Sequence, residues 1–277
     1  MPRHLLLAAL FLASTAGAQQ PSSIAARVAA APADGVVEMR FPARAGVCGD
    51  GRHYISIGHG TITGDVRRNG DVEDHGACEP GPVRAVLTLR GHDVARVRTY
   101  VGGDTATRSS SPEAVDLGTV DPRDAAAYLL DVARRGDGRV ADDAILPAVL
   151  ADRAVVWPAL LAIARDSGGG GHARGARGTA GFWLSRFAAA ARDGHPERIA
   201  DDATSGDDED EENDVRGHAV FALSQLPRHE GVPSLIEVAR THKDARVRAK
   251  AMFWLGQSGD PRALALFEEI LSKSAGK

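Results

Sequence analysis

Long hydrophobic runs are missing from most of this chain. After the stretch Leu5 to Ala13, no segment approaches the ~20 apolar residues that cross a bilayer, so no stable membrane span is expected. A coherent basic face is missing too. The formal net charge is −4, and nine acids fall between Asp201 and Asp214 with no Lys or Arg among them. The acidity is therefore local, and nucleic-acid binding, which needs a concentrated basic surface, is not expected. Gly-x-Ser-x-Gly, His-Glu-x-x-His and the Gly-Lys-Ser/Thr ending of a phosphate loop do not occur. Their absence removes the common hydrolase and nucleotide-binding patterns. Gly168 to Gly171 reads instead as a loop between helices, and Asp207 to Glu212, without the spacing and glycine of an EF-hand, as a solvated acidic connection open to a cation or a basic partner. No cofactor is implied, and the chain is not expected to be an enzyme.

The N-terminus holds Arg3, the apolar run Leu5 to Ala13, and Ala16-Gly17-Ala18 before Gln19. A basic start, a short greasy core and a small-residue exit form the order of a secretory signal, with cleavage expected after Ala18. The mature protein is then periplasmic or extracellular. Cysteine is scarce, with Cys48 and Cys78 the two in the chain, and in an exported protein a disulfide between them is the leading expectation. It closes a loop of about 30 residues and contributes on the order of 3 kcal/mol. His53, His59, His75 and His92 supply ligand types for zinc, but their spacing with the cysteines follows no zinc pattern.

Residues 19–33 are small and read as a flexible lead-in, 34–111 as a disulfide-linked β domain, and 112–277 as helical. Val83, Ala85, Leu87 and Leu89 alternate with Arg84, Thr88 and Arg90, the signature of a half-buried strand, and Val94 to Val101 follows after a Gly91-His92-Asp93 turn. Val36 to Phe41 and Tyr54 to Ile57 complete a small antiparallel sheet of about four strands.

Three helical segments superimpose without a gap: Ala176 to Ser185, Val215 to Ser224 and Val247 to Gly256. Their first, fifth, eighth and ninth positions are apolar or alanine, one face of a helix. Second amphipathic segments occur at Trp157 to Arg165, Gly231 to Arg240 and Asp260 to Leu271. The copy Val247-Arg248 through Leu255-Gly256 resembles the HEAT family, in particular the bacterial PBS-lyase HEAT-like repeats, whose first helix reads Val-Arg-x-x-Ala-x-x-x-Leu-Gly. The Val215 copy ends in Ser224 and the Ala176 copy begins with Ala, departures from that pattern. A degenerate first repeat lies near Val140 to Arg165, interrupted by Pro147.

The expected fold is thus α+β: a small antiparallel β domain followed by a right-handed α-solenoid of about four HEAT-type hairpins, capped by the Ile270-Leu271 helix. The resemblance implies a protein-binding scaffold in the cell envelope, with Glu237, Arg240 and Glu269 on the second helices as contact residues. The alternative is an envelope enzyme or metal-dependent factor working from the Gly/Asp/His-rich loops of the β domain. Bilin lyase chemistry, which the repeat family's label suggests, does not suit an exported chain.

Overall fold

The computed structural model describes residues 23–52, 54–58, 60–63, 78–103, 113–166, 173–195, 198–200 and 211–276. The expected signal sequence, His53, His59, His75, the glycine run and the acids 201–210 lie outside them. The chain forms eight strands and ten α-helices among these residues.

The strands make two sheets. β1 (Val36–Phe41), β6 (Val83–Arg90), β7 (Asp93–Val101) and β8 (Val115–Thr119) form one in the order β7-β6-β1-β8, and β2 (Val47–Gly49), β3 (Ile55–Ile57), β4 (Gly60–Thr63) and β5 (Glu79–Pro80) form the other in the order β4-β3-β2-β5. Gly91 and His92, both at positive φ, make the two-residue turn that matches the twist of the β6-β7 hairpin. The expectation of one antiparallel sheet needs correction, because β8 pairs with β1 in parallel. β8 also lies beyond residue 112, where helix was expected to begin. Its signal is short and diluted by Asp116 and Gly118, leaving Leu117 as its buried residue. The lead-in 19–33 needs correction as well: Ile24–Ala29 is helix α1, capped by the Ser23 hydroxyl, which accepts from the Ala26 N–H at 3.2 Å, and Ile24 and Val28 are buried. Arg27 reaches across to donate to the Leu117 carbonyl at 2.7 Å.

Helix α2 (Pro122–Arg135) opens on an Asp121 cap with proline in its first turn, where the missing N–H costs nothing, and buries Ala125, Leu129 and Val132 along one stripe. The next helical stretch is broken into α3 (Gly138–Asp143) and α4 (Ile145–Leu150). Pro147 has no N–H to offer the Asp143 carbonyl, so the break falls one turn ahead of the proline. Between β1 and β2, Arg44 is 7% exposed and ties the strands to these helices. Its Nε donates to the Val149 carbonyl at 2.8 Å and Nη2 donates to the Ala154 carbonyl, while the guanidinium sits 5.2 Å from the Phe187 ring centroid. Buried residues from Ile24 to Leu271 accordingly form one hydrophobic cluster rather than two separate ones.

The remaining helices are α5 (Trp157–Arg165), α6 (Ala173–Arg192), α7 (Glu211–Ser224), α8 (Val232–Thr241), α9 (Ala245–Ser258) and α10 (Pro261–Ala275). Their stacking is not sequential. α9 packs against α6 on one side and α7 on the other, and α10 packs against α5, α6 and α8. The last hairpin therefore lies inside the stack, and α10 is no terminal cap. Helices α7 and α9 run parallel, with Gly217 near Lys250 and Phe221 against Trp254. Helices α6 and α9 run antiparallel: Gly181 meets Gly256, Phe182 meets Phe253, and Asp193 meets Arg248. The segment at Ala176 thus has the residue pattern of the other two copies but not their orientation, and the succession of four like hairpins is replaced by two hairpins docked on earlier helices.

Candidate interaction surfaces

The first surface is the face shared by α8 and α10. Arg240 on α8 donates to Glu269 on α10 at 2.6 Å, Lys273 donates to the same carboxylate at 2.7 Å, and Arg165 on α5 donates to Glu268 at 2.6 Å. Lys273 first, then Arg240, hold the Glu269 carboxyl below its ordinary range, and Arg165 does the same for Glu268. Glu237 is exposed three residues before Arg240 on α8. The three contact residues expected from the sequence therefore occupy one face, two of them bonded to each other. These pairs are roughly half exposed, so each adds little to stability. They fix which charges the face displays.

The second surface is an aromatic row across α6, α9 and α7. Phe182 and Phe253 are 6.2 Å apart between centroids, Phe253 and Trp254 5.0 Å, and Trp254 and Phe221 5.1 Å. At its outer end Phe221 is 44% exposed and Leu226 43%. Helix α7 also buries Gly217 and Val220 while exposing Ala219 and Ala222, a different face from the one the repeat alignment gives. Its main packing is on α9 and α8, and Ala219, Phe221 and Ala222 face outward.

The third is a cleft of about 640 Å³ where the sheet meets the helices. Its apolar wall includes Tyr54, Tyr100, Phe182 and Trp183, so the aromatic row begins there. Its charges are Arg52, Arg96, Arg98 and Arg139 against Asp142 and Asp143. Asp142 accepts a bond from the Thr179 hydroxyl. Burial, and then the neighbouring Asp142, push the Asp143 carboxyl above its ordinary value. The four arginines are exposed and make no salt bridge among the described residues. Sequence reasoning did not single out this site. Arg96 and Arg98 were legible as the polar half of a strand, but their convergence with Arg139, more than 40 residues further on, depends on the docking of α3.

The parallel α7-α9 pair, each followed by an antiparallel partner, is the arrangement of tandem helical hairpins. Residues 207–277 match the family of HEAT repeats. No curated protein and no solved structure gives a significant match. The HEAT-repeat segment thus comprises α7 to α10, which includes Glu237, Arg240 and Glu269. Cys48 and Cys78 form a disulfide with their Cα atoms 5.2 Å apart, joining β2 to the start of β5. Of the four histidines weighed as zinc ligands, His92 alone is described, and it occupies the exposed hairpin turn away from the disulfide. Among the described residues no three His, Cys, Asp or Glu side chains gather to hold a metal, and no helix is long and apolar enough to cross a membrane.

Proposed function

We propose that the protein is an exported, non-enzymatic scaffold that holds a partner protein through its HEAT-repeat segment. The match of residues 207–277 to HEAT repeats carries this reading, since repeats of this kind commonly present rigid helical faces for protein contact. Export accords with the signal-like order of residues 1–18 and with the Cys48–Cys78 disulfide, a bond that persists in oxidising compartments. The periplasm or the extracellular medium is the proposed location. The α7 to α10 hairpins are taken to curve with the right-handed sense of α-solenoids, and Glu237, Arg240 and Glu269 to contribute the contact face.

Two measurements test the reading. N-terminal sequencing of the protein recovered from the medium or periplasm should begin at Gln19; a cytoplasmic, uncleaved product would refute export. For binding, the full mature protein should capture a discrete partner from a native envelope extract. Replacing Glu237 with Lys, Arg240 with Ser and Glu269 with Ser should abolish that capture while circular dichroism and thermal midpoint stay within a few degrees, because the altered groups are exposed. Capture undiminished by the triple change would remove the α8-α10 face from the proposal.

A further inference from the structure

Positive charge converges on the cleft from three elements that are distant in the chain. Arg52 comes from the turn between β2 and β3, Arg96 and Arg98 from β7, and Arg139 from α3. Against them stand Asp142 and Asp143, so the cleft carries a balance of +2 in a chain whose net charge is −4. Asp142 is already engaged by the Thr179 hydroxyl. The four arginines are exposed and make no salt bridge among the described residues. Like charges in a concave wall repel one another and focus a positive potential there. Packing does not account for them, because β7 and α3 contribute Val97 and Ala141 to the buried cluster. The walls are also fastened in place. The Asp50 carboxylate accepts from the Arg52 N–H at 2.8 Å and from the Tyr54 N–H at 3.0 Å, and the Gly51 N–H donates to the Val101 carbonyl at 2.8 Å, which binds the turn carrying Arg52 to the end of β7. Phe182 and Trp183 meet edge to face with centroids 5.0 Å apart, and the buried Arg186 lies 5.6 Å from each ring. Val97 is 3% exposed, so the cleft presents arginine and aromatic side chains rather than strand backbone.

We propose that this cleft binds a small organic dianion, an oxyanionic head on a flat apolar body. Its volume of about 640 Å³ lies within the range of small-molecule sites, which combine an apolar lining with a few placed charges. The head lies among the arginines, whose guanidinium forks pair with carboxylate or phosphate through two parallel bonds. Its two negative charges match the balance of the cleft. A phosphate monoester and a pair of carboxylates share this chemistry. The body lies against Tyr54, Tyr100 and Phe182, which are half-buried and keep ring surface to be covered. Because the turn, the strand and the helices are already bonded to one another, little ordering is needed when the ligand enters. The site is separate from the α8-α10 face and does not depend on the scaffold reading.

Calorimetric titration of the intact mature protein with naphthyl phosphate and with naphthalene dicarboxylate tests this, with inorganic phosphate and neutral naphthol as the two halves of the ligand. At least one dianion should bind saturably, one per chain, and at least tenfold more tightly than either half. The tighter of the two names the head. Arg96→Ser combined with Arg139→Ser should weaken that binding at least tenfold while the thermal midpoint stays within a few degrees, since both side chains are exposed. Phenylglyoxal, which modifies accessible arginines, locates the site without any substitution: the bound dianion should slow modification of Arg52, Arg96, Arg98 and Arg139 severalfold and leave the exposed Arg153 unchanged. Failure of both dianions to bind, binding that survives the double substitution, or protection of Arg153 equal to that of the cleft overturns the proposal. Inorganic phosphate bound as tightly as naphthyl phosphate would leave a simple ion site, and naphthol bound as tightly as the dianions a bare apolar pocket; either result overturns it as well.

Discussion

Asp260 shows how one residue closes a junction. Its side chain is 7% exposed. One oxygen accepts from the Arg262 N–H at 2.8 Å and from Arg262 Nε at 2.9 Å, and the other accepts from Arg262 Nη2 at 2.8 Å and lies 3.2 Å from His229 Nδ1. Arg262 Nη2 also donates to the His229 carbonyl at 3.2 Å, which joins the start of α10 to the turn between α7 and α8. These bonds, with Arg262 foremost, hold the Asp260 carboxyl at about 2. A carboxyl depressed in the folded state stabilises it above the unfolded value near 4, and that contribution disappears as pH falls through the folded value. Replacing Asp260 with Ala should cost about 1 to 2 kcal/mol at pH 7, since the cap is lost along with a pair that solvent partly screens. Urea denaturation at pH 7, 4 and 2.5 checks this: the gap from the parent should shrink over the last interval, and a gap constant with pH would contradict the assignment. The cap itself was legible, since Asp-Pro before an amphipathic run announces a helix start. Its bond to His229 was not, because 31 residues separate the two. Arg84 marks a different limit of sequence reasoning. It was expected on the wet face of β6, yet it is 4% exposed, 3.8 Å from Glu38 and 4.3 Å from the Tyr100 ring centroid. Alternation identifies which residues share a face, not whether a second layer will cover the polar one.

Among the elements, the decisive contact is between α6 and α9. A methyl group at Gly181 would sit 2.5 Å from the Gly256 carbonyl oxygen, and one at Gly256 would sit 2.7 Å from the Gly181 carbonyl oxygen and 2.8 Å from Ser185 Cβ. Both obstacles include backbone, so the helices can approach this closely only while both positions lack a side chain. Gly256→Ala should therefore destabilise by about 1 to 3 kcal/mol, the range for overpacking a tight interface, despite alanine's better helix propensity. A methyl group at Gly178, on the same helix as Gly181, would meet nothing within 4 Å, so Gly178→Ala serves as the control and should be neutral or slightly stabilising. Urea midpoints of the two variants decide the matter; equal shifts would mean that the close approach is not what glycine provides at 256. The glycine ending the Val247 copy is legible in the sequence as part of a repeat pattern, and α7 to α10 are all legible from their periodicity. What escapes is their order in space. Apolar spacing finds the helices but gives the wrong buried face for α7, and it carries no information on which helix covers a face; the 18 residues from Asp193 to Asp210 are long enough to let the chain reach the far side before α9 returns to the middle.

At the scale of the whole molecule the same arrangement makes the two halves interdependent. The sheet and the helices share one buried cluster, and Arg44 is the polar member of their junction, bonded to carbonyls on either side of Ala151. The Arg44 N–H donates to the Leu150 carbonyl at 2.8 Å and the Asp152 N–H donates to the Pro42 carbonyl at 2.9 Å, so the loop after β1 and the end of α4 pair like two short strands. Removing the guanidinium leaves two buried carbonyls without donors and a gap beside Phe187, and Arg44→Ala should cost about 2 to 4 kcal/mol. Because α9 fills the space between α6 and α7, shortening the chain at Asp244 should do more than fray an end: it withdraws the middle of the stack and exposes the faces of α5, α6 and α8 together. A sequential solenoid losing its last hairpin would keep a folded remainder with nearest-neighbour losses only. Tryptophan fluorescence offers a clean reading, since Trp157 and Trp183 remain after truncation and report on α5 and α6. If the shortened chain lacks a cooperative urea transition at these tryptophans while the full chain has one, the interleaved order governs stability. A transition retained near the parent midpoint would show that α6 holds its place without α9, and the close approach of Gly181 to Gly256 would then be a contact the molecule can lose.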